Sequence, residues 1–464
     1  MSGSKLLLAA LLAAATARAD DAPSPVDVLR DFSAAASLDI TRAIDELGAE
    51  SATTRRAAQK RLTESKALTS AHLATALLSD DPEISQRAEE LATTAVEQNE
   101  KRLADALASI AAGNIKGHAA AVAEALPACD AIDRLRIVWR RAFIATCTTN
   151  DSATVEALLA APSASAREAA LTAVDQLKLP DAPARIHRAL GDADETVRLQ
   201  AASLLLDTSD ARALPVAIDL LESSSVSIRS RSHAILRSVT GRSSDFLSDD
   251  APALRARAVA GWRKWLADAD GKPALAAGRA KGGAIVLASS EDLEKWVAHA
   301  VDTKKAWSIR EGVLACNGIG NGVLISPEPL ANYSLTYEWR WTGRPGDSGL
   351  FTGIEALGAD SLRAIEVQML TGAAGDFWRI GYYTGADGTP IIPNHVRRMA
   401  EAEEAPDNGW NLMEITLQNG HLDVHVNGRK VNELEGLPST PTHFGLQLEG
   451  TAFEVRRLRA DPLP

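Results

Sequence analysis

Cysteine, aromatic residues and long apolar stretches are all scarce in this chain of 464 residues. Three cysteines without C-x-x-C spacing argue against a disulfide-dense scaffold and against a zinc finger. No stretch after the N-terminus reaches the roughly 18 apolar residues that a membrane-spanning helix needs. Basic residues are in the minority, 49 against 61 acidic ones, which gives a net charge of −12. We therefore expect neither a membrane span nor a nucleic-acid partner, because nucleic-acid backbones attract basic surfaces.

The N-terminal segment has the order of elements of an export signal. Lys5 precedes the apolar run 6–15, and the small-residue site Ala17-Arg18-Ala19 follows it. This order is typical of a secretory signal peptide. We predict that residues 1–19 are cleaved off and that the protein is exported, to the periplasm or the extracellular space.

The three cysteines allow two arrangements in an oxidising compartment. Cys129 and Cys147 can pair across neighbouring helices and leave Cys316 alone in a predicted strand. The alternative is that all three are buried free thiols, which are common in protein cores.

Residues 25–270 repeat apolar positions at helical spacing, with short breaks rich in Asp, Pro, Ser and Gly. Arginines recur at an interval of 31 residues just inside alanine-rich helices, at Arg136, Arg167, Arg198 and Arg229. The pattern resembles HEAT-type repeats and predicts a HEAT-like α-solenoid, whose surface can bind a protein partner. We expect the arginines to bond helix-end carbonyls or aspartates, with a ligand-binding stripe as the alternative.

The chain changes character after a predicted linker at 271–284. Most glycines and aromatic residues lie beyond it, and apolar residues alternate with polar ones. In the segment 334–341, Glu338 and Arg340 lie on the face opposite the apolar side chains, and Glu366 and Gln368 do the same in 365–369. Residues 285–464 are therefore predicted to form an antiparallel β-sandwich of jelly-roll type with one polar face.

Several motifs of this second part occur in the order of a known family. They are Trp307-Ser308-Ile309-Arg310-Glu311-Gly312, Tyr337-Glu338-Trp339-Arg340, Asp347-Ser348-Gly349-Leu350-Phe351, Ile365-Glu366-Val367-Gln368, Gly409-Trp410-Asn411, Val426-Asn427-Gly428 and Phe444-Gly445-Leu446-Gln447. Together they resemble the 3-keto-disaccharide hydrolase domain, which has a concanavalin-like lectin/glucanase fold. The resemblance runs from about Leu287 to Leu458 and implies a glycoside or oligosaccharide substrate.

A 3-keto sugar has an acidified proton at C2, so a base can remove it and the substituent at C1 can leave by elimination. Such a site needs a base, a donor for the enolate oxygen and an acid for the leaving oxygen. Glu338 and Glu366 are the candidate base and acid, Arg340 is the candidate enolate stabiliser, and Gln368 is expected to orient the sugar. The candidate substrate-binding residues are Asp347, Trp378, Tyr382 and Glu449.

This chain carries Asp347, Gly353, Thr371 and Glu449 where the family usually has Asn, Arg, Asp and His. The departures leave two hypotheses open, an enzyme with a changed substrate and a module that only binds carbohydrate. No cofactor motif is present. A divalent metal stays open, since His421 and His425 share one face of a predicted strand.

Overall fold

The computed structural model describes residues 23–464 except 114, 243–245, 270–283, 355–361, 382–388, 391, 403 and 406–408. The predicted signal peptide, all but the last residue of the predicted linker, and Tyr382 lie outside the described residues. The chain divides into two compact units, Met1–Arg185 and Ile186–Pro464. No helix among the described residues is long and apolar enough to cross a membrane.

The described residues from Pro25 to Asp268 are mainly helical, as the apolar spacing predicts. Its helices are α1 Pro25–Asp31, α2 Ala34–Asp45, α3 Ala52–Glu64, α4 Ser70–Leu77, α5 Pro82–Leu91, α6 Glu97–Ala112, α7 Ala119–Glu124, α8 Leu126–Cys129, α9 Asp133–Thr146, α10 Ser152–Leu159, α11 Ala164–Gln176, α12 Ala182–Arg188, α13 Glu195–Asp207, α14 Leu214–Asp219, α15 Val226–Thr240 and α16 Pro252–Asp268. Serine caps fix several starts: Ser33, Ser51, Ser163 and Ser225 each accept a hydrogen bond from the backbone amide three residues later.

The arginines of the 31-residue interval bond the loop before their own helix. Arg167 Nη1 donates to the carbonyl oxygens of Ala161 and Pro162, both at 2.8 Å. Arg136, Arg198 and Arg229 donate in the same way to carbonyls five or six residues before them. The expected bonding of helix-end carbonyls is confirmed, and these guanidinium groups have a structural use in closing the turns.

All three cysteines are buried free thiols, the second of the two arrangements considered. Burial raises the pKa of the Cys147 thiol to about 12 and that of Cys316 to about 11, so both are protonated at neutral pH.

The second unit contains an antiparallel β-sandwich. Its strands are β1 Ile285–Leu287, β2 Val297–His299, β3 Trp307–Arg310, β4 Val313–Cys316, β5 Asn321–Ile325, β6 Tyr333–Trp341, β7 Gly349–Ile354, β8 Ala364–Gln368, β9 Phe377–Ile380, β10 His395–Val396, β11 Asn411–Gln418, β12 His421–Val426, β13 Arg429–Leu434, β14 His443–Glu449 and β15 Phe453–Pro462, with the short helices α17 Ser290–Leu293 and α18 Thr303–Ala306. Sheet A has the order β13-β12-β11-β6-β15-β4-β3, with β1 on β15, and sheet B has the order β10-β9-β8-β7-β14-β5-β2.

The core lies between the two sheets. Sheet A contributes Tyr337 and Trp339, which are fully buried, and sheet B contributes Ile365 and Val367. These are the apolar positions of the period-two segments, so the sandwich prediction is confirmed. Because strand side chains alternate, the polar positions of β6 and of β8 lie on the two opposite outer faces of the sandwich.

The outer face of sheet A is packed against helices of the same unit. Arg237 of α15 is 2.5 Å from Asp461 of β15 (Nη2 to Oδ2), and Ser230 of α15 donates to the carboxylate of Glu414 on β11. The outer face of sheet B carries the second set of polar strand residues.

Candidate functional site

Strand β8 places a buried carboxyl group in the middle of the outer face of sheet B. Glu366 and Gln368 point outward there because Ile365 and Val367 occupy the core side. In the sheet register, Glu366 lies opposite Phe351 on β7 and Trp378 on β9. A single row of outward side chains thus brings a carboxyl group between two aromatic rings.

A glycine makes the room for this carboxyl group. A Cβ atom on Gly349 would lie only 2.5 Å from both Cγ and Oε1 of Glu366, so the Glu366 side chain lies directly over the Gly349 backbone. The neighbouring Ser348 fixes the start of β7, because its hydroxyl donates to the carbonyl oxygen of Gln447 at 2.8 Å. In the Asp347-Ser348-Gly349 motif, glycine is therefore required by the close approach of Glu366, and serine anchors the start of the strand.

Three carboxyl groups and one amide form what we call the acidic face: Asp347, Glu366, Gln447 and Glu449. Glu366 is 5% exposed, Asp347 and Gln447 are half-buried, and Glu449 is exposed. Enclosed oxygen atoms of Asp347 (Oδ1), Glu366 (Oε1) and Gln447 (Oε1) have no hydrogen-bond partner. Glu449 thus lies at the exposed edge of the acidic face and Glu366 at its buried end, and the enclosed oxygen atoms accept no hydrogen bond.

Burial first, and then the charges of Asp347 and Glu449, raise the pKa of Glu366 to about 8. Burial and Asp347 also raise the pKa of Glu449. A carboxyl group with such a pKa carries its proton at neutral pH and can give it up near neutrality, which is the property of a general acid.

Gln368 is held in one orientation beside Glu366. Its Oε1 accepts the backbone amides of Met369 at 2.8 Å and Leu370 at 3.0 Å, and the residue is 4% exposed. Its amide nitrogen makes no hydrogen bond to the described residues. The site therefore contains a fixed donor next to a protonated carboxyl group.

Trp378 and His395 form a ring pair at the end of the row that contains Phe351 and Glu366. The sequence analysis predicted Trp378 as a site residue but not His395. Trp378, 40% exposed, stacks on His395 with ring centroids 4.2 Å apart. His395 Nε2 lies 2.8 Å from Oδ2 of the buried Asp376. Strand β10 has only two residues, so no alternation in the sequence marks His395 as a strand position.

The structure brings five of the predicted site residues to sheet B: Glu366, Gln368, Trp378 and Glu449 lie on its strands, and Asp347 lies two residues before β7. Glu338 and Arg340 belong to sheet A, on the opposite side of the sandwich, and do not share a face with this group. The expectation of one polar face carrying all four catalytic candidates is wrong. Period two shows which residues share a strand face, but it does not show to which sheet each strand belongs.

Glu338 is an ion-pair centre. Its Oε2 accepts hydrogen bonds from Arg456 Nε at 2.6 Å and from Arg457, and its Oε1 is 3.8 Å from Arg231 Nε. A β-bulge with Arg457 at a φ of 54° turns two consecutive arginines of β15 toward this one carboxylate. Burial acts to raise the pKa of Glu338, but the three arginines outweigh it and lower the pKa to about 2.

Arg340 is likewise engaged on sheet A. Its Nη2 is 2.6 Å from Glu454 Oε2, and its guanidinium lies over the ring of Trp410, 4.5 Å from the centroid. Arg456 stacks on the same ring at 4.2 Å. Both Glu338 and Arg340 thus have structural partners that account for their charges.

One group of described residues has three metal-ligating atoms within 4.8 Å of one another: His421, Asp423 and Glu433. Lys430 Nζ already lies 2.5 Å from Asp423 Oδ1 and 2.6 Å from Glu433 Oε2, so an ammonium group balances these carboxylates. His425 Nε2 lies 3.4 Å from Oδ2 of a different aspartate, Asp249, so the two histidines do not converge on one metal position.

Solved structures similar to part of the chain include three of modest likeness. One is titled a native glycosidic hydrolase, with 11% identity, a TM-score of 0.30, and coverage of 40% of this chain and 100% of that one. A Bacillus subtilis protein of unknown function with a galectin-like fold has 14% identity, a TM-score of 0.30 and coverage of 39% and 96%. The carbohydrate-binding module CBM66 from Bacillus subtilis has 11% identity, a TM-score of 0.27 and coverage of 36% and 96%. Likenesses of this strength assign neither an activity nor a ligand.

No curated protein matches the chain. A family model does match, and it covers the sandwich up to Ala460 in β15, including the acidic face and Glu338 of sheet A with its partners Arg456 and Arg457. Residues 283–460 match the model of the 3-keto-alpha-glucoside-1,2-lyase-like domain.

Proposed function

We propose that the sandwich cleaves the glycosidic bond of 3-keto-glycosides, including 3-keto-disaccharides, on the outer face of sheet B. The observation that carries this proposal is Glu366: a nearly buried carboxyl group with a pKa raised to about 8, held between Phe351 and Trp378. The family match of residues 283–460 supports the same substrate class.

The reaction assigns one task to each polar group. A carboxylate, for which Asp347 is best placed, removes the C2 proton, and the electron pair forms an enolate whose oxygen accepts a hydrogen bond from the Gln368 amide. The enolate then collapses to a C1–C2 double bond as the C1–O bond breaks. Glu366 gives its proton to the departing oxygen, and water later adds across the double bond.

Two features of the site suit this sequence of steps. The enclosed Oδ1 of Asp347 has no hydrogen-bond partner, so no protein donor competes for the incoming proton. Trp378 is 40% exposed and offers an apolar ring edge on which a sugar can pack.

The test is release of the aglycone from a panel of 3-keto-glucosides by the purified full chain, compared with the unoxidised glucosides. Glu366→Gln keeps the size of the side chain and removes the acidic proton, so kcat/KM should fall by about 10²-fold or more. The rate of the unaltered protein should decline above about pH 8, as Glu366 loses its proton.

The matched control is Glu435→Gln, which changes a side chain that is 78% exposed and directly follows β13 of sheet A. This variant should keep the full rate. Equal rates for Glu366→Gln and Glu435→Gln would remove Glu366 from the mechanism.

A non-catalytic carbohydrate-binding module is the second candidate. It is favoured by one observation: Glu338 and Arg340, half of the predicted catalytic set, are engaged in ion pairs on the other sheet. This candidate predicts saturable binding of glycosides in calorimetry, with no product after long incubation.

We further propose that the chain is exported after cleavage at Ala19 and that its helices form a HEAT-like scaffold for a protein partner. Mass spectrometry of the mature N-terminus from an exported fraction tests the first part. Capture of an envelope protein that is lost on mutating the helices tests the second.

A further inference from the structure

We propose that the acidic face selects a glycoside that carries a protonated amine, that is, an amino sugar. This inference rests on the function proposed above and deepens it by naming the class of substrate. It stands on the charges, the enclosed acceptor atoms and the width of the acidic face.

The charge of the acidic face is not balanced by protein groups. Among the described residues, no lysine or arginine forms an ion pair with Asp347, Glu366 or Glu449. Four other buried or half-buried carboxylates of the sandwich do have such partners: Glu338 has Arg456, Glu454 has Arg340, Asp461 has Arg459 and Asp423 has Lys430. The acidic face is therefore short of a cation, which a ligand can supply.

The enclosed atoms of the face indicate a ligand rich in donors. Asp347 Oδ1, Glu366 Oε1 and Gln447 Oε1 have no hydrogen-bond partner, and the single proton of the neutral Glu366 supplies at most one donor for these three oxygen atoms. A buried acceptor without a donor is costly, so a bound donor gains that free energy back. An ammonium group offers three donors in a charge-assisted form, and bound at Glu449 and Gln447 it leaves Asp347 available as the base. The Gln368 amide beside these acceptors can bond a ring oxygen or hydroxyl of the same sugar.

The width of the face favours an organic ammonium over a single metal ion. The carboxylate oxygens of Asp347, Glu366 and Glu449 do not all come within 4.8 Å of one another, since the one described group that does so is His421, Asp423 and Glu433. A calcium ion requires its oxygen ligands at about 2.3–2.6 Å, which brings them closer together than this. A sugar ring spreads its amine and hydroxyl groups over several ångströms and can reach separate acceptors.

The experiment compares three disaccharides of one backbone by isothermal titration calorimetry on the full chain, near pH 7 and at low salt. They are the β-1,4 dimers of glucosamine, of glucose and of N-acetylglucosamine. We expect the Kd for the glucosamine dimer to be about tenfold lower than for the other two. Glu449→Gln should abolish most of that difference, whereas Glu435→Gln should leave it intact.

Equal or tighter binding of the glucose or N-acetylglucosamine dimer would overturn the inference. So would tight binding of CaCl₂ alone to the unaltered protein that is lost in Glu449→Gln, because the face would then be a metal site. The proposed cleavage of 3-keto-glycosides is measured separately: release of aglycone without a preference for amines overturns only the present inference, and absence of release overturns the proposed function.

Discussion

Two glutamates on one sandwich show how strongly the surroundings of a residue decide its chemistry. Glu338 and Glu366 are both nearly buried on outward positions of central strands. Arginines lower the pKa of Glu338 to about 2, although burial acts against them, whereas burial and neighbouring carboxylates raise the pKa of Glu366 to about 8. At neutral pH the first is a structural anion and the second is a proton donor.

Glu338→Gln should destabilise the protein by about 3–5 kcal/mol at neutral pH, since it removes the counterion of the buried Arg456, whereas Arg457 keeps its ion pair with Asp207. The folded-state pKa of Glu338 lies below its unfolded value, so this contribution is present above about pH 4.5 and is lost as the pH falls toward 2. Chemical denaturation near pH 7 measures the effect. Glu435→Gln is the control and should change the stability little.

A folded fraction of Glu338→Gln should still cleave the substrate that the unaltered protein cleaves. If Glu338→Gln is as stable as the unaltered protein but inactive, Glu338 takes part in catalysis and the structural interpretation is wrong.

At the scale of elements, sequence patterns predicted which segments are strands and which side chains face the core, but they did not predict which strands pair in one sheet. Alternation placed Tyr337 and Trp339 in the core and Glu338 on an outer face, as observed. It could not place β6 and β8 in different sheets, because sheet membership depends on pairings between strands far apart in sequence. For the same reason His395, in a two-residue strand next to Trp378, was not predictable.

The hairpin between β12 and β13 meets helix α15 through a glycine. Gly428 has a φ of 82°, and a Cβ there would lie 2.7 Å from Ser230 Cβ and 2.9 Å from Val226 Cγ1. Gly428→Ala should therefore lower the free energy of unfolding by about 1–3 kcal/mol, through both backbone strain and overpacking.

Gly436→Ala is a matched control for this variant, as Gly436 has a φ of 86° and open space around its Cβ position. Thermal denaturation of the two variants separates the steric clash from the strain. Equal losses of stability would mean that α15 shifts to accommodate the extra methyl group with no loss of folding free energy.

At the scale of the whole molecule, both units bury a neutral histidine. Burial lowers the pKa of His72 in the first unit to about 4, and burial followed by the charge of Arg237 lowers that of His233 in the second unit to about 3. In the unfolded chain these rings take up a proton near pH 6.5. Their stabilising effect is thus present above that pH and is lost as the pH falls toward the folded-state values.

We expect the melting temperature to fall between about pH 7 and about pH 5, with a loss of about 2 kcal/mol per histidine. His233→Phe should reduce this pH dependence, because a phenyl ring takes up no proton and still packs beside Trp262. Calorimetry of the full chain at the two pH values checks the result. An unchanged slope in the variant would assign the acid sensitivity to other groups.

The bulge of β15 has a consequence for changes in chain length. Arg456 lies opposite Glu338 and Arg459 opposite Thr336, so β15 has one residue more than the stretch of β6 that it pairs with. Arg457 is the surplus residue, and Leu458 returns to the core side after it. Deleting Arg457 would shorten the strand to a regular ladder without moving any later side chain to the wrong face. At this position the fold should tolerate the loss of a residue better than the gain of one.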